Sequence, residues 1–175
     1  MRLGFANLPP RDYSIASHPG DKSLEFHIRV RGPGAVAEHL RSSLAVGEAV
    51  VIDGPFGDAY LRADHSGPIL AIAGGTGLVP AKSIIGAALD LGQAQPIYFY
   101  LGARSETDLY AAPLFLAWAA AHRNFTFVPV LSDPEDGSTG RLGNVADAVA
   151  EDFPDMTGFK CYVAGPQPMV AAAVK

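Results

Sequence analysis

The chain is predicted to join an antiparallel β-structure, residues 1–66, to a doubly wound parallel-sheet α/β unit, residues 67–175. Three observations carry that prediction. In Leu24-Glu25-Phe26-His27-Ile28-Arg29-Val30 apolar and polar side chains alternate strictly, as a strand requires when one face meets a core and the other meets water or a ligand. From Gly67 onward, short apolar runs alternate with stretches of helical spacing, the pattern of strands covered by helices on both faces. The aliphatic run Ile69–Ala73 stops abruptly at Gly74-Gly75-Thr76-Gly77 and gives way to helical spacing, so a buried strand turns sharply into a helix.

Taken in order, Arg2–Asn7 and Tyr13–Ser17 are short strand candidates separated by Pro9-Pro10. Leu24–Val30 follows, then one short helix over Val36–Leu44, then strands at Ala49–Ile52 and Tyr60–Leu61. About five strands is few for a closed barrel, and the first is under way as the chain begins, so the barrel is expected to be incomplete at its N-terminus. Beyond Gly67 the strands are Ile69–Ala73, Ile97–Leu101, Phe125–Leu131 and Cys161–Ala164. The helices are Ala81–Leu91, Leu114–His122, Val145–Glu151 and Met169–Val174, with a solvated turn at 134–138. The last helix is still running at the final residue, so this unit is expected to be truncated at its C-terminus.

The 13 basic and 18 acidic side chains give a net charge of -5, dispersed without a basic stripe, which argues against nucleic acid as a partner. No apolar run approaches the roughly 20 residues of a membrane-spanning helix, and the N-terminus lacks a secretory pattern, so a cytoplasmic protein without membrane insertion is expected. The single cysteine, Cys161, excludes an internal disulfide and an all-cysteine metal or iron–sulfur site within the chain. It reads as a small buried hydrophobe. The five histidines are scattered without ligand spacing, so no metal site is expected, and Trp118 falls on the apolar side of a helix, as a core residue does.

Gly74-Gly75-Thr76-Gly77 reads as a nucleotide-binding turn. Bare amides at a helix start can donate to a pyrophosphate, and glycine lets the backbone approach it. Ligands of doubly wound sheets bind beyond the carboxyl ends of the strands. Thr76 follows the first of these strands, Gly102-Ala103-Arg104-Ser105 the second, Ser132-Asp133 the third and Gly165-Pro166 the fourth, so one crevice can collect them all. In the N-terminal part a strand through Arg11-Asp12-Tyr13-Ser14 places Arg11 and Tyr13 on one face. There a guanidinium suited to phosphate stands beside a ring that can lie against a flat heterocycle, and the Ser14 hydroxyl can donate to a ring nitrogen.

Arg11-x-Tyr13-Ser14, Gly54-Pro55-Phe56-Gly57, Gly74 to Pro80, Gly102-Ala103-Arg104 and Gly165-Pro166-x-Pro168-Met169 occur in one order along essentially the whole chain. Together they resemble the ferredoxin-NADP reductase superfamily, and within it the NAD(P)H-dependent reductase components of bacterial ring-hydroxylating oxygenases. The resemblance implies that Arg11 binds a flavin phosphate, that Tyr13 packs on the isoalloxazine ring and that Ser14 approaches the flavin N5, with His27, Ile28 and Arg29 lining the flavin. It implies a pyrophosphate cradle at the helix start Gly34-Ala35-Val36-Ala37, where alanine replaces the family's usual serine. That gives Gly34, Val36 and Ala37 as contacts and FAD ahead of FMN.

By the same resemblance Gly74, Gly75, Thr76 and Gly77 hold the dinucleotide pyrophosphate with Thr76 near the nicotinamide. Arg104 and Ser105 adjoin the adenosine ribose, and Ala164, Gly165, Pro166 and Met169 border the nicotinamide, with alanine where many relatives carry cysteine. Glu106 and Asp108 beside Arg104 favour NADH over NADPH. Asp108-Leu109-Tyr110 is expected to cap and pack the next helix, and Arg141 to contact the nucleotide. The implied activity is that of a flavoprotein reductase. A hydride passes from NADH or NADPH to FAD, and single electrons then go to a ferredoxin or [2Fe-2S] domain serving an oxygenase component. Tyr13, Ser14 and Thr76 stand nearest the chemistry. The alternative is a nucleotide-binding subunit or docking module of an electron-transfer complex without reductase activity of its own.

Overall fold

The computed structural model describes residues 1–134, 138 and 140–174; most of the turn expected at 134–138 lies outside them. Two sheets organise the chain. The first is antiparallel, in the order β2 (Arg11–Asp12), β1 (Arg2–Phe5), β3 (Val50–Asp53), with helix α1 (Ala35–Ser42) between β2 and β3 in sequence. Leu3 and Phe5 of β1 and Val36 of α1 form its small core, on which Tyr13, Phe26 and Ile28 pack.

The second sheet is parallel and five-stranded. Its order is β7 (Arg141–Leu142), β6 (Phe125–Leu131), β5 (Ile97–Ala103), β4 (Ile69–Gly74), β8 (Lys160–Ala164). Both faces of β4 are covered. Ile69, Ala71 and Ala73 enter a core with Leu78, Val79 and Ile85 of α2 (Leu78–Asp90) and Phe115 of α3 (Ala112–Ala121). Leu70 and Ile72 enter a second core with Val145, Ala148 and Val149 of α4 (Val145–Asp152) and with Met169 of α5 (Gln167–Ala173). Each fully buried aliphatic side chain of this kind contributes about 1.5–3 kcal/mol relative to exposure, which is why β4 reads as a continuous apolar run. Pro129, which has no N–H to donate, sits in β6 just before the first β7 pair, Val130 with Arg141, where β6 is still an edge strand.

Successive strands from β4 to β7 are laid down on one side of β4, whereas β8 returns to its other side. The chain thus reverses at β4, the place where doubly wound sheets open a ligand crevice.

The helices and the four long parallel strands stand where the spacing predicts, to within three residues at their ends. The N-terminal part differs. Of the strands expected there, Tyr13–Ser17, Leu24–Val30 and Tyr60–Leu61 carry no ladder. The Ala16 N–H donates to the Glu25 carbonyl at 2.8 Å, but the Glu25 N–H donates to the Ser17 hydroxyl at 3.1 Å instead of to a ladder carbonyl. The alternation in Leu24–Val30 reports two-sided packing without strand pairing. Phe26 and Ile28 face the N-terminal core, while Glu25 and His27 face α2 and the loop after β5. Cys161 also departs from expectation. It is exposed, because β8 is an edge strand among the described residues. Trp118 is half-buried, edge-on to Phe115 at 5.5 Å. No helix among the described residues is long and apolar enough to cross a membrane.

Candidate functional site

A cavity of about 1420 Å³ opens at the carboxyl ends of β4, β5, β6 and β8 and extends to the N-terminal part. One wall is the turn Gly74–Gly77, a single 3-10 turn (Gly75–Gly77) that runs straight into α2. The first N–H groups of a helix have no intrahelical acceptor, and no side chain caps this one. The Leu78 N–H is bonded to the Gly75 and Thr76 carbonyls, so the amides open to an anion at this positive helix end are those of the Gly75–Gly77 turn.

The glycines of the turn serve different needs. Gly75 has φ 55°, a left-handed conformation, and a β-carbon there would meet nothing within 4 Å, so it faces open space. A β-carbon on Gly77 would stand 2.0 Å from the Ala164 carbonyl oxygen, and one on Gly74 would stand 2.7 Å from the Met169 sulfur. These two glycines let the turn press against the end of β8 and the start of α5. Sequence reasoning assigned all of them to a ligand, but the space beside Gly74 and Gly77 is filled by protein.

The cavity brings together Ser14, His27, Ile28 and Arg29 from the N-terminal part with Gly74, Gly75, Thr76, Gly77 and Arg104. Ala164, Gly165, Pro166 and Met169 complete the expected residues on its wall. Six expected contacts are not on it. Arg11 is exposed on β2, and Tyr13 packs against the N-terminal core. Gly34 stands at the start of α1, Val36 is 7 % exposed inside the N-terminal core, and Ala37 follows it. The Ser105 hydroxyl is hydrogen-bonded to Thr107 at 2.8 Å. Arg141 is also elsewhere, held by Asp152 and, at 2.7 Å, by Glu151. Asp152 in turn accepts from the Tyr100 hydroxyl at 2.5 Å, and burial together with that carboxylate raises the Tyr100 phenol above its ordinary range.

Several wall residues escaped the sequence reading: Arg31, Thr107, Tyr110, Asn144 and Asp147. Tyr110 was expected to pack a helix, yet it stands at the cavity, and its hydroxyl is 3.0 Å from His27 Nδ1. The signal available was position, since Tyr110 follows β5 and Asn144 follows β7 on the ligand edge of the sheet.

Charges of both signs line the cavity, Arg29, Arg31 and Arg104 with Asp108 and Asp147. Arg29 and Arg31 reach it with no carboxylate within ion-pair distance among the described residues, whereas Arg104 is paired with Asp133 at 3.3 Å. Glu25 sits between Lys82 Nζ and His27 Nε2, each at 2.5 Å. Lys82, and then His27, hold its carboxyl below the ordinary carboxylate value. The volume exceeds the roughly 300–1,000 Å³ of a pocket for one small ligand. Two guanidiniums unpaired among the described residues, an uncapped helix start and a left-handed glycine facing open space suit a long, flat, diphosphate-bearing molecule.

Comparison with known proteins gives matches over nearly the whole chain. Residues 71–175 match the oxidoreductase NAD-binding domain, and residues 6–60 match the oxidoreductase FAD-binding domain. A ferredoxin–NAD(P)+ reductase component of naphthalene 1,2-dioxygenase/salicylate 5-hydroxylase systems from Ralstonia sp is 41 % identical over 93 % of this chain and 49 % of its own length. An NAD(P)H-flavin reductase from Aliivibrio fischeri is 39 % identical over 93 % of this chain and 71 % of its own. Among solved structures, the Amycolatopsis cytochrome P450 reductase GcoB superimposes with a TM-score of 0.87 at 39 % identity, covering 99 % of this chain and 54 % of that one. The chain spans about half the length of the Ralstonia relative.

Proposed function

From the premise that this chain belongs to the family of oxidoreductases joining an FAD-binding to an NAD-binding domain, we propose that it is an NAD(P)H-dependent flavoprotein reductase. It takes a hydride from NADH or NADPH onto FAD and releases single electrons to a ferredoxin or [2Fe-2S] domain that serves an oxygenase component. The observation that carries this reading is the shared cavity, in which Ser14, His27 and Ile28 of the N-terminal part and Thr76 and Ala164 of the α/β unit border one space. When bound, the flavin supplies the conversion of a two-electron donor into a one-electron donor.

The chain's own part is placement. The Gly75–Gly77 helix start receives the pyrophosphate of the nucleotide. Thr76 and Ala164 flank the nicotinamide, and Ser14 offers a hydroxyl to the ring on the opposite wall. The Arg104–Asp133 pair, with Asp108 on the same wall, meets the adenosine end. Those carboxylates repel a 2′-phosphate, so NADH is the preferred donor. Arg11, Tyr13, Gly34, Val36, Ala37 and Ser105 are not on the wall of this cavity, and their cofactor contacts remain part of the proposal, with Val36 through its backbone only. No covalent nucleophile is required, because proximity and orientation carry hydride transfer.

One observation favours a second reading, in which the chain binds nucleotide but retains flavin weakly. The helix start at Gly34 carries Glu38 in its first turn, where a carboxylate opposes a phosphate, and is not on the cavity wall. The test is anaerobic addition of NADH to protein reconstituted with FAD. Bleaching of the yellow band supports the reductase. A yellow protein that never bleaches refutes it, and a colourless one that still binds NADH supports the second reading.

A further inference from the structure

We propose that Glu25, Lys82, His27 and Tyr110 form a clamp that sets the distance between the two walls of the cavity, so that Glu25 and Lys82 are positioning residues for hydride transfer. The inference rests on the reductase reading above. Its basis is a chain of contacts that crosses from one part of the molecule to the other. Glu25 Oε2 is 2.5 Å from Lys82 Nζ, in the early part of α2, the helix that Thr76 leads into. Glu25 Oε1 is 2.5 Å from His27 Nε2, and His27 Nδ1 is 3.0 Å from the Tyr110 hydroxyl, with the two rings edge-on at 5.6 Å. His27 and Tyr110 themselves border the cavity, one from the N-terminal part and one from the α/β unit, and meet where the two parts join.

The clamp has a second strand. The Ser83 hydroxyl donates to the Ser17 carbonyl at 2.7 Å, and the Ser17 hydroxyl accepts the Glu25 N–H. The residue that anchors the extended segment is thus also tied to α2. Ser17 is 4 % exposed and Lys82 13 %, so both are anchored on the protein side, whereas the Glu25 carboxylate that joins them is half-exposed. Ser14 and Ile28 lie on the N-terminal side of this joint, and Thr76 lies on the other. A change in the joint moves one wall against the other and leaves the nucleotide wall, Gly74–Gly77 with Arg104 and Gly165, intact. Misplacement by about 1 Å at a reacting centre costs roughly 100-fold in rate.

The test uses the full chain loaded with FAD and the variants Glu25→Gln, Lys82→Met, Lys82→Arg and Tyr110→Phe. Anaerobic stopped-flow at saturating NADH reads flavin reduction. Long-wavelength absorbance reads stacking of the nicotinamide and flavin rings, and fluorescence titration of flavin-free protein reads NADH affinity. The expected result is that Glu25→Gln and Lys82→Met slow reduction by roughly 10- to 100-fold and weaken the long-wavelength band. Their NADH affinity stays at the wild-type value, and Lys82→Arg recovers most of both optical signals.

Wild-type rates and band in Glu25→Gln and Lys82→Met overturn the clamp, and so does a loss of NADH affinity as large as the loss of rate. If those two variants do not fold, Tyr110→Phe decides, because it removes one hydroxyl from a half-exposed ring. A slower reduction with a weaker band supports the clamp, and wild-type behaviour overturns it. Wild-type protein that holds FAD and is never bleached sinks the reductase reading itself, whereas a bleaching wild type with indifferent variants sinks only the clamp.

Discussion

Alanine at Gly77 and at Gly75 should separate the two uses of glycine in the turn. At Gly77 the new β-carbon would be 2.0 Å from the Ala164 oxygen, 2.4 Å from its carbonyl carbon and 2.7 Å from the Gly165 nitrogen. All three are backbone atoms that cannot swing aside, so the end of β8 must move. Overpacking of this kind costs about 1–3 kcal/mol, and with backbone on both sides the upper figure applies. For a chain of this size that lowers Tm by about 6–12 °C. At Gly75 the β-carbon meets nothing within 4 Å, and the only penalty is the left-handed φ of 55°. That penalty is about 1–2 kcal/mol, or a fall of about 2–8 °C.

Function should run in the opposite order. Gly75→Ala projects a methyl into the space proposed for the pyrophosphate and should weaken NADH about tenfold, the loss of about 1.4 kcal/mol. Thermal denaturation and a fluorescence titration with NADH measure both. The reasoning is refuted if Gly77→Ala melts with wild type, or if Gly75→Ala melts as low as Gly77→Ala while binding NADH normally.

Three further outcomes are expected. Because Lys82 and His27 depress the Glu25 carboxyl below its ordinary value of 4.5, its ion pair stabilises the fold above that pH and the contribution is lost as pH falls through the lowered value. After discounting for a half-exposed carboxylate, Glu25→Gln should cost about 0.5–1 kcal/mol at pH 7 and nothing in acid, as urea denaturation at the two pH values will read. Asp133→Ala frees the 80 %-exposed Arg104 and removes a negative charge beside it. It should raise NADPH use relative to NADH about fivefold, the equivalent of about 1 kcal/mol for an exposed pair, measured as the ratio of kcat/KM values. Ser14→Ala deletes one hydroxyl from the cavity wall. It should slow single-turnover flavin reduction by about 3- to 10-fold, the worth of one hydrogen bond, with NADH affinity unchanged.

The α/β unit was legible because its signals are local. The aliphatic run of β4, the glycine turn and the helical spacing after it each follow from burial on both faces, and the pocket wall from Gly74 to Gly77 lies where they place it. The N-terminal part was legible only in its alternation. Leu24–Val30 does have two faces, but its polar face meets Lys82 and Tyr110, and pairing is intercepted by the Ser17 hydroxyl. Neither partner can be read from the segment, because one is 57 and the other 83 residues away along the chain. Cys161 was misread for a related reason. Its neighbours are apolar, but exposure depends on whether a strand lies at an edge, and β8 does among the described residues. Tyr110 and Asn144 were missed because they reach the cavity through the positions of the loops that carry them.

The central claim is that nicotinamide and isoalloxazine rings meet in one cavity between Ser14 and Thr76. A crystal structure of the chain with FAD and NAD+ bound tests it most directly. The account predicts the nicotinamide C4 and the flavin N5 in that cavity at near-attack separation, about 3–3.5 Å. Two ligands bound in separate places, with a wall of protein between their rings, would contradict it.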